Sequence, residues 1–197
     1  LGGKKMADGT SMKSDGTIIN FADASERITS AIRTTETEHS YIHEGIFFES
    51  YNKFTLAAGA KRVVTIKAPV GKYLHYRPTN LVTSADKVTI EFYEGATVTA
   101  ATGTAVTPSN HNRNSTLTSG VTLLDAPTVT ADGTKFAQVY IPGATGTGGT
   151  RTGASAGLSN SEWVLKPNTA YMIRVTNGSS GSNDVQINFQ WYEESMG

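Results

Sequence analysis

The sequence DVQINFQWYEE, residues 184–194, alternates between apolar and polar side chains. The apolar set is Val185, Ile187, Phe189 and Trp191, and the intervening residues are Gln186, Asn188, Gln190 and Tyr192. Because successive side chains of a β-strand point to opposite faces of its sheet, this pattern predicts a strand with one buried and one polar face. Strands of that kind belong to antiparallel sheets that pack face to face.

Similar stretches, rich in Val, Ile, Thr, Tyr and Phe, recur throughout residues 45–197. In one of them, the side chains of Val88, Ile90 and Phe92 share a predicted face, and those of Thr89, Glu91 and Tyr93 share the other. The other predicted strands are IFFESYNKFTL (46–56), KRVVTIKAP (61–69), KYLHYRP (72–78), TKFAQVYIP (134–142) and TAYMIRVTN (169–177), with shorter ones in GTAVTP (103–108) and EWVLKP (162–167). No helical pattern of about 10 to 15 residues lies between them, which argues against a parallel βαβ fold. We predict an all-β fold, a jelly-roll-like antiparallel β-sandwich with an extended N-terminal arm.

The arm is predicted to be residues 1–44, which are polar and Thr-rich. MADGTSMKSDGT contains two Asp-Gly-Thr turn signals. In residues 23–38, Asp23 is a possible N-cap with Glu26 three residues later, so one or two helical turns are expected on an otherwise extended segment. A segment with so few apolar residues cannot fold alone, so we expect it to lie along its own domain or a neighbouring subunit.

Composition excludes several classes of function. The 197 residues carry a formal net charge of zero, so nothing indicates a nucleic-acid partner. There are no cysteines, which excludes disulfides and thiolate chemistry. No apolar run approaches the roughly 18 residues of a membrane span, and no membrane partner is expected.

The sequence offers little support for catalysis or for a cofactor. Glu91 and Glu94 are the nearest carboxylate pair, but on a strand they point to opposite faces and cannot flank one glycosidic bond. His39 and His43 are four residues apart, the spacing of two metal ligands on a helix, but their surroundings favour an extended chain and no third ligand is near. No Gly-x-Ser-x-Gly turn is present. We therefore expect a non-enzymatic protein with no catalytic residue, no metal and no cofactor.

The most polar run is TPSNHNRNST, residues 107–116. Within it, the candidate site residues are Asn110, His111, Asn112, Arg113 and Asn114. Short Asn side chains close Asx turns, and the Arg113 guanidinium can clamp several carbonyls, which favours a crossover stapled by its own side chains. The same residue types bind sugar hydroxyls, so a glycan contact is the alternative. Gly143 to Ser161 is interpreted as a linker loop, and a glycan contact is again the alternative.

Five segments together resemble a family of tailed-bacteriophage virion structural proteins. They are TETEHSYIHEGIFFESY (35–51), EFYEGATVT (91–99), TPSNHNRNS (107–115), EWVLKPNTAYMIRVTN (162–177) and FQWYEE (189–194). Members of this family look like capsid decoration or head-surface proteins. The resemblance implies a cement subunit on the outer surface of the phage head, present in the host cytoplasm during assembly. It also implies that the subunit binds the major capsid protein or other virion proteins and forms a homo-oligomer, a trimer. The alternatives are a carbohydrate- or receptor-binding module of a head or tail fibre and, disfavoured by the carboxylate spacing, a glycan-cleaving enzyme.

Overall fold

The computed structural model describes residues 10–12, 18–20, 39–83, 87–142 and 162–196. The chain divides into two units, Leu1–His43 and Glu44–Gly197. The helical turns predicted at residues 23–38 and the loop Gly143–Ser161 lie outside the described residues.

The first unit contains a short antiparallel strand pair. Strand β1 is Thr10–Met12 and strand β2 is Ile18–Asn20, with Thr10 opposite Asn20. Each strand begins at or directly after one of the two Asp-Gly-Thr sequences. Residues 39–44 form a helical turn, α1. The expectation of an extended chain at His39 and His43 is therefore wrong, and the local preference for extension does not decide the conformation there.

The described residues of the second unit form thirteen strands. They are β3 (Phe47–Leu56), β4 (Lys61–Lys67), β5 (Lys72–Thr83), β6 (Val88–Glu94), β7 (Thr97–Val98), β8 (Thr104–Ala105), β9 (Ser109–Asn110), β10 (Thr122–Asp125), β11 (Val129–Ala131), β12 (Thr134–Ile141), β13 (Trp163–Leu165), β14 (Ala170–Asn177) and β15 (Asn183–Ser195). All their pairings are antiparallel, as the alternating sequence patterns predict.

Two sheets form the sandwich, and their strand order is that of a jelly roll. The five-stranded sheet runs β13-β5-β15-β3-β9, and the six-stranded sheet runs β12-β6-β14-β4-β10-β8. Eight of these strands, β3 to β6 and β12 to β15, make up the jelly roll. If they are numbered one to eight in chain order, the five-stranded sheet contains them in the order six-three-eight-one, and the six-stranded sheet contains them in the order five-four-seven-two. This is the strand order of a jelly roll. This confirms the predicted fold class. The strands β7 to β11 belong to the long connection between β6 and β12, residues 95–133, which we call the crossover.

The core lies between the two sheets and uses the predicted inward positions. Phe189 and Trp191 of β15 have no exposed surface, and Val185 and Ile187 are also buried. Val88, Ile90 and Phe92 are buried from the facing sheet. These residues belong to one continuous apolar cluster, and burying each large side chain contributes about 1.5–3 kcal/mol.

A smaller apolar cluster lies on the outer face of the six-stranded sheet. It is formed by Tyr93, Ala96 and Met172, with Val63 and Val129 packed against them. Tyr93 was expected on a polar face, and this prediction is wrong. The reason is the crossover, whose strand β11 pairs with β7 and whose Val129 packs against this cluster.

The hairpin NGSSGSND, residues 177–184, connects β14 to β15 and is closed by a buried amide. Asn177 Nδ2 donates to the carbonyls of Leu56, Ala57 and Gly181 at 2.8–3.0 Å. Its Oδ1 accepts the Ser179 N–H at 3.0 Å. One side chain thus pairs with backbone groups at the end of β3, in the following turn and in the hairpin.

Because of two core tyrosines, we expect the free energy of unfolding to decrease at alkaline pH. Burial, together with a hydrogen bond to Glu94, raises the pKa of Tyr171 to about 12, and burial also raises the pKa of Tyr76. A phenol whose folded pKa exceeds the unfolded value of about 10 stabilises the native state below pH 10, and that contribution is lost as the pH rises toward 12. We expect the free energy of unfolding, measured in urea, to fall across this window.

The matched variants are Tyr171→Phe and Tyr51→Phe. Tyr171→Phe should make the alkaline loss shallower, whereas Tyr51→Phe should leave it unchanged because the Tyr51 side chain is exposed. Phenolate absorbance should show delayed ionisation among the eight tyrosines. Ionisation of all of them near pH 10 in a protein that stays folded would contradict this account.

Candidate functional site

The crossover is tied to the five-stranded sheet by the buried carboxylate of Glu193. The side chain of Glu193, on β15, is 1% exposed. It accepts hydrogen bonds from Ser119 Oγ at 2.6 Å and from the Gly120 N–H at 2.9 Å. Lys72 Nζ of β5 lies 3.0 Å away and supplies the counter-charge. A carboxylate removed from water is tolerated only when its oxygens are paired, and here both oxygens are engaged by crossover and sheet together.

The polar run of the crossover forms an edge loop, residues 109–117, beside the start of β3. Asn110 Nδ2 donates to Gly45 O at 2.7 Å and to Leu117 O at 3.1 Å. Its Oδ1 accepts the Asn112 N–H at 2.8 Å, which closes an Asx turn. Asn112 Oδ1 in turn accepts the Asn114 N–H at 3.1 Å. The loop therefore satisfies its backbone largely through its own amide side chains.

Close contact with Gly45 fixes the loop in place. Gly45 has φ +73°, a left-handed conformation that favours glycine. A Cβ at this position would lie 2.8 Å from Ser115 Cβ, inside van der Waals contact. The junction at Gly45 thus needs glycine both for its backbone angle and for the approach of the loop.

His111 and Arg113 make different contributions from those expected. The His111 ring packs edge-on against Phe47, with centroids 4.7 Å apart. Its Nε2 lies 3.0 Å from Glu49 Oε2, although the contact does not meet the angular criteria of a hydrogen bond. Arg113 is exposed, and its one hydrogen bond within the described chain is a long contact of 3.5 Å from Nη1 to Asn110 O. The clamp over several carbonyls expected of Arg113 is therefore supplied by Asn110.

Next to this loop lies a polar cleft of about 460 Å³, the edge cleft. Residues 49–52 of β3 line one side, and residues 104–107, Ser109 and Asp125 line the other. The cleft is there because β9 pairs with β3 only at Phe48 and Glu49. Beyond that point the crossover leaves the five-stranded sheet and β8 joins the six-stranded sheet.

The edge cleft presents hydrogen-bonding groups and an aromatic rim. Ser50 Oγ donates to Thr107 O at 3.1 Å across its floor. Asn52 Nδ2 is buried and has no hydrogen-bond partner within the described part of the chain. At the rim, the Tyr51 side chain is 70% exposed. Asp125 is already engaged by Arg62, whose Nε lies 2.8 Å from Oδ1, so the cleft is suited to neutral polar groups.

A second polar cluster surrounds His75 on the outer face of the five-stranded sheet. His75 Nδ1 lies 2.8 Å from Glu162 Oε1, and its Nε2 lies 3.3 Å from Glu194 Oε2. The ring stacks on Tyr192 at 4.3 Å, and Tyr192 donates to the same Glu162 oxygen at 2.8 Å. His75 is a half-buried sheet residue. Glu162 is 87 positions away in sequence, so no local pattern indicates the contact.

The two carboxylates singled out in the sequence belong to separate contacts. Glu91 is held by Lys135 at 3.1 Å. Glu94 accepts Lys166 Nζ at 2.6 Å and the Tyr171 hydroxyl at 3.0 Å. The hydrogen bond from Lys166 holds the pKa of Glu94 below its usual value. Both groups act as partners of fixed cations.

The histidine pair of α1 does face one side of the helical turn. His39 Nε2 and His43 Nε2 are 2.9 Å apart, and their rings meet edge to face. Across the described ranges, no group of three or more His, Asp or Glu side chains is arranged to hold a metal ion. The two imidazoles form a hydrogen-bonded pair.

No protein-family model, curated protein or solved structure matches this chain. Within the part of the chain that the structure describes, no helix is both long and apolar enough to cross a membrane.

Asn110→Ala should destabilise the protein more than Arg113→Ala. The Asn110 change leaves Gly45 O and the Asn112 N–H without their partner, which costs about 1–3 kcal/mol in the free energy of unfolding. Arg113→Ala removes only one long, exposed contact and should cost under about 0.5 kcal/mol. Thermal and urea unfolding of both variants measure the difference. Equal losses would show that the guanidinium carries the loop after all.

Glu193→Gln should be one of the most costly single-atom changes in the body. Gln places an N–H₂ group where two donors and an ammonium converge, so we expect a loss of about 2–4 kcal/mol in unfolding free energy. The neighbouring Glu194→Gln is the matched control. Its side chain is partly exposed, and the loss should stay within about 1 kcal/mol. A Glu193→Gln protein as stable as the control would rule out the carboxylate as the anchor of the crossover.

Proposed function

We propose that this chain is a non-enzymatic structural protein of a tailed-phage virion, a decoration or cement subunit that binds the assembled head. The jelly-roll strand order carries the proposal, because this architecture is used by viral capsid domains. The resemblance of its five segments to virion proteins points the same way. The outer surface of the head is the proposed location, with the major capsid protein or another virion protein as the partner.

The body has the properties that such a subunit needs. Two sheets share one apolar core, and the crossover, the longest connection between jelly-roll strands in the described chain, is held by Glu193 and Asn110. A subunit that binds the assembled shell, but not free capsid protein, adds its binding free energy to the assembled state. A rigid body limits the ordering entropy lost on attachment.

The proposed homotrimer has a candidate contact side. β12 and β13 are the outermost strands at one end of the two sheets. Phe136 on β12 is 43% exposed and Val164 on β13 is 56% exposed, and Tyr73 of the adjacent β5 is also exposed. Exposed aromatic and aliphatic groups on edge strands favour self-association of the body.

A receptor-binding module of a head or tail fibre is the second candidate function. The edge cleft is the observation that favours it, because lectin domains also use the jelly roll. Cryo-microscopy of virions with labelled subunit separates the two, since label spread over the head lattice supports a cement role and label confined to a fibre supports the alternative.

In the proposed mechanism, the unit Leu1–His43 anchors the subunit to the particle. Several such segments on one oligomer act together, because the body sets the effective concentration of the second and third. Deleting residues 1–37 should leave a folded oligomer that no longer cosediments with particles. Since the formal net charge is zero, binding of the full chain should depend only weakly on salt.

Val164→Asp is the complementary variant. This variant retains residues 1–37 but places a charge on the proposed contact side. It should lower the mass of the oligomer measured by light scattering. Particles depleted of the subunit are mixed with each variant and separated on a gradient. Full occupancy by the truncated protein would assign the attachment to the sandwich itself, and no binding by the full chain would contradict the cement role.

A further inference from the structure

We propose that residues 50–56 of β3 are a docking site for an extended segment of a partner protein, which adds a strand to the sheet and places an acidic side chain opposite Lys53. The site is the side of β3 that faces away from β15, which we call the open edge. The edge cleft gives access to its first residues. Such a site needs a protein partner of any source, so it goes beyond the cement role proposed above.

One side of β3 loses its neighbouring strand after Glu49. The other side is paired with β15 from Phe47 to Leu56 without a register shift. On the open side, β9 pairs with β3 only at Phe48 and Glu49. Thr107, the next crossover residue in line, uses its carbonyl to accept Ser50 Oγ–H at 3.1 Å. The remainder of β3 is therefore a regular strand with one side that no described strand covers.

The hydrogen bonds of β3 show which backbone groups point to the open edge. The His111 N–H donates to Phe47 O at 3.0 Å, so the Phe47 carbonyl points toward β9. In an antiparallel ladder, successive residues direct their N–H and C=O alternately to the two sides of the strand. Because the register with β15 is continuous, Tyr51, Lys53 and Thr55 direct these groups to the open edge. An extended polypeptide, which presents its own N–H and C=O at every second residue, can pair with all three.

The other sheet edges of the described body are less suited to an added strand. β8 and β9 have two residues each and β13 has three. β12 is longer, but its register shifts between Lys135 and Ala137. The part of β5 beyond β13 contains Pro78, and its register with β15 also shifts. Short strands, prolines and bulges all protect an edge from pairing, and residues 50–56 have none of these features.

The Lys53 side chain determines which strand can be added. It is exposed and has no hydrogen bond or ion pair within the described residues. If two copies of β3 paired all three open residues across a two-fold axis, Lys53 would lie directly opposite Lys53 of the second copy. Like charges in that position are destabilising, and a lysine on an edge strand commonly prevents such self-pairing. An acidic side chain in the added strand would instead form a cross-strand ion pair with the ammonium group.

The inward face of the added strand would meet neutral polar groups. Its side chains opposite Asn52 and Phe54 would point toward the edge cleft, whose far wall includes residues 104–107 with two Thr hydroxyls. The carboxylate of Asp125 in that wall is already engaged by Arg62. Thr suits these inward positions, because it is β-branched and its hydroxyl can both donate and accept. The preferred segment therefore alternates inward-facing Thr with an acidic residue at the centre of its outward face.

The test uses the full chain and the peptide acetyl-Thr-Val-Thr-Glu-Thr-Val-Thr-amide at millimolar concentration. The peptide sequence is the same in both directions, so its central Glu lies opposite Lys53 in a parallel or an antiparallel pairing. Binding should shift the backbone amide NMR signals of Tyr51, Lys53 and Thr55 and slow their hydrogen exchange. The same peptide with N-methyl groups on its Glu and both Val residues should not bind, because it has no main-chain donors for the open edge.

Two substitutions at Lys53 separate the contribution of the charge from that of the backbone. Lys53→Glu should weaken binding of the Glu peptide about tenfold and favour the same peptide with Lys at its centre. Lys67→Glu is the matched control, since Lys67 is an exposed strand lysine of the other sheet, and it should leave the preference unchanged. Lys53→Pro removes an N–H that points to the open edge, so it should abolish binding while the ladder with β15 is kept. The melting temperature of each variant checks that the body remains folded.

The inference is overturned if the Glu peptide does not bind the unmodified chain, or if it shifts the amide signals of β12 in place of those of β3. An unchanged peptide preference in Lys53→Glu would overturn it as well. Self-association that Lys53→Pro abolishes, measured by light scattering, would assign the open edge to a second copy of this chain and exclude the partner segment. None of these results bears on attachment through the unit Leu1–His43, which the gradient experiment measures.

Discussion

The burial of one carboxylate, Glu193, determines how the crossover can run. Its acceptors are filled by Ser119 and Gly120 of the crossover and by Lys72 of the neighbouring strand. Trp191 Nε1 approaches the same group, 3.3 Å from Ser119 Oγ. An unpaired buried charge would be strongly destabilising, so this segment of the crossover cannot leave the sheet without a large cost. The position of Ser119 and Gly120 therefore determines where the segments before and after them can run.

From that anchor the crossover extends both sheets and opens the cleft between them. On the side before the anchor, β9 adds to the five-stranded sheet and β8 to the six-stranded one. On the side after it, β10 pairs with β4, and Val129 of β11 covers the outer apolar cluster. The cleft is the gap left where β8 and β9 follow different sheets. The candidate binding site thus arises from the hydrogen bonds and strand pairings of the crossover, and the eight jelly-roll strands are unchanged by it.

Local sequence patterns predicted the strands because alternation is a property of neighbouring residues, as in β15. The turn at LKPNT also has a local origin, because Pro-Asn favours a turn, and there Asn168 takes φ +52° between the buried Leu165 and Tyr171. Contacts between distant residues were not predictable. Glu193 and Ser119 are 74 positions apart. The alternation that continues from Trp191 places Glu193 on the inward face, but it does not indicate which residues pair with the carboxylate there. The clamp predicted for Arg113 was wrong for a related reason. The number of N–H donors on a guanidinium does not show whether the side chain points toward the loop or away from it.

The two lateral ends of the sandwich are chemically different, and this has a consequence for assembly. β12 and β13 are outermost at one end of the sheets, and β8 and β9 are outermost at the other. Exposed Phe136 and Val164 belong to the first end, and the edge cleft belongs to the second. In the proposed oligomer, contact between bodies through the first end would bury apolar surface and leave every cleft open, because the two regions share no strand. Each subunit of such an oligomer would then present its own edge cleft, so that a weak contact at one cleft would be multiplied by the number of subunits held together.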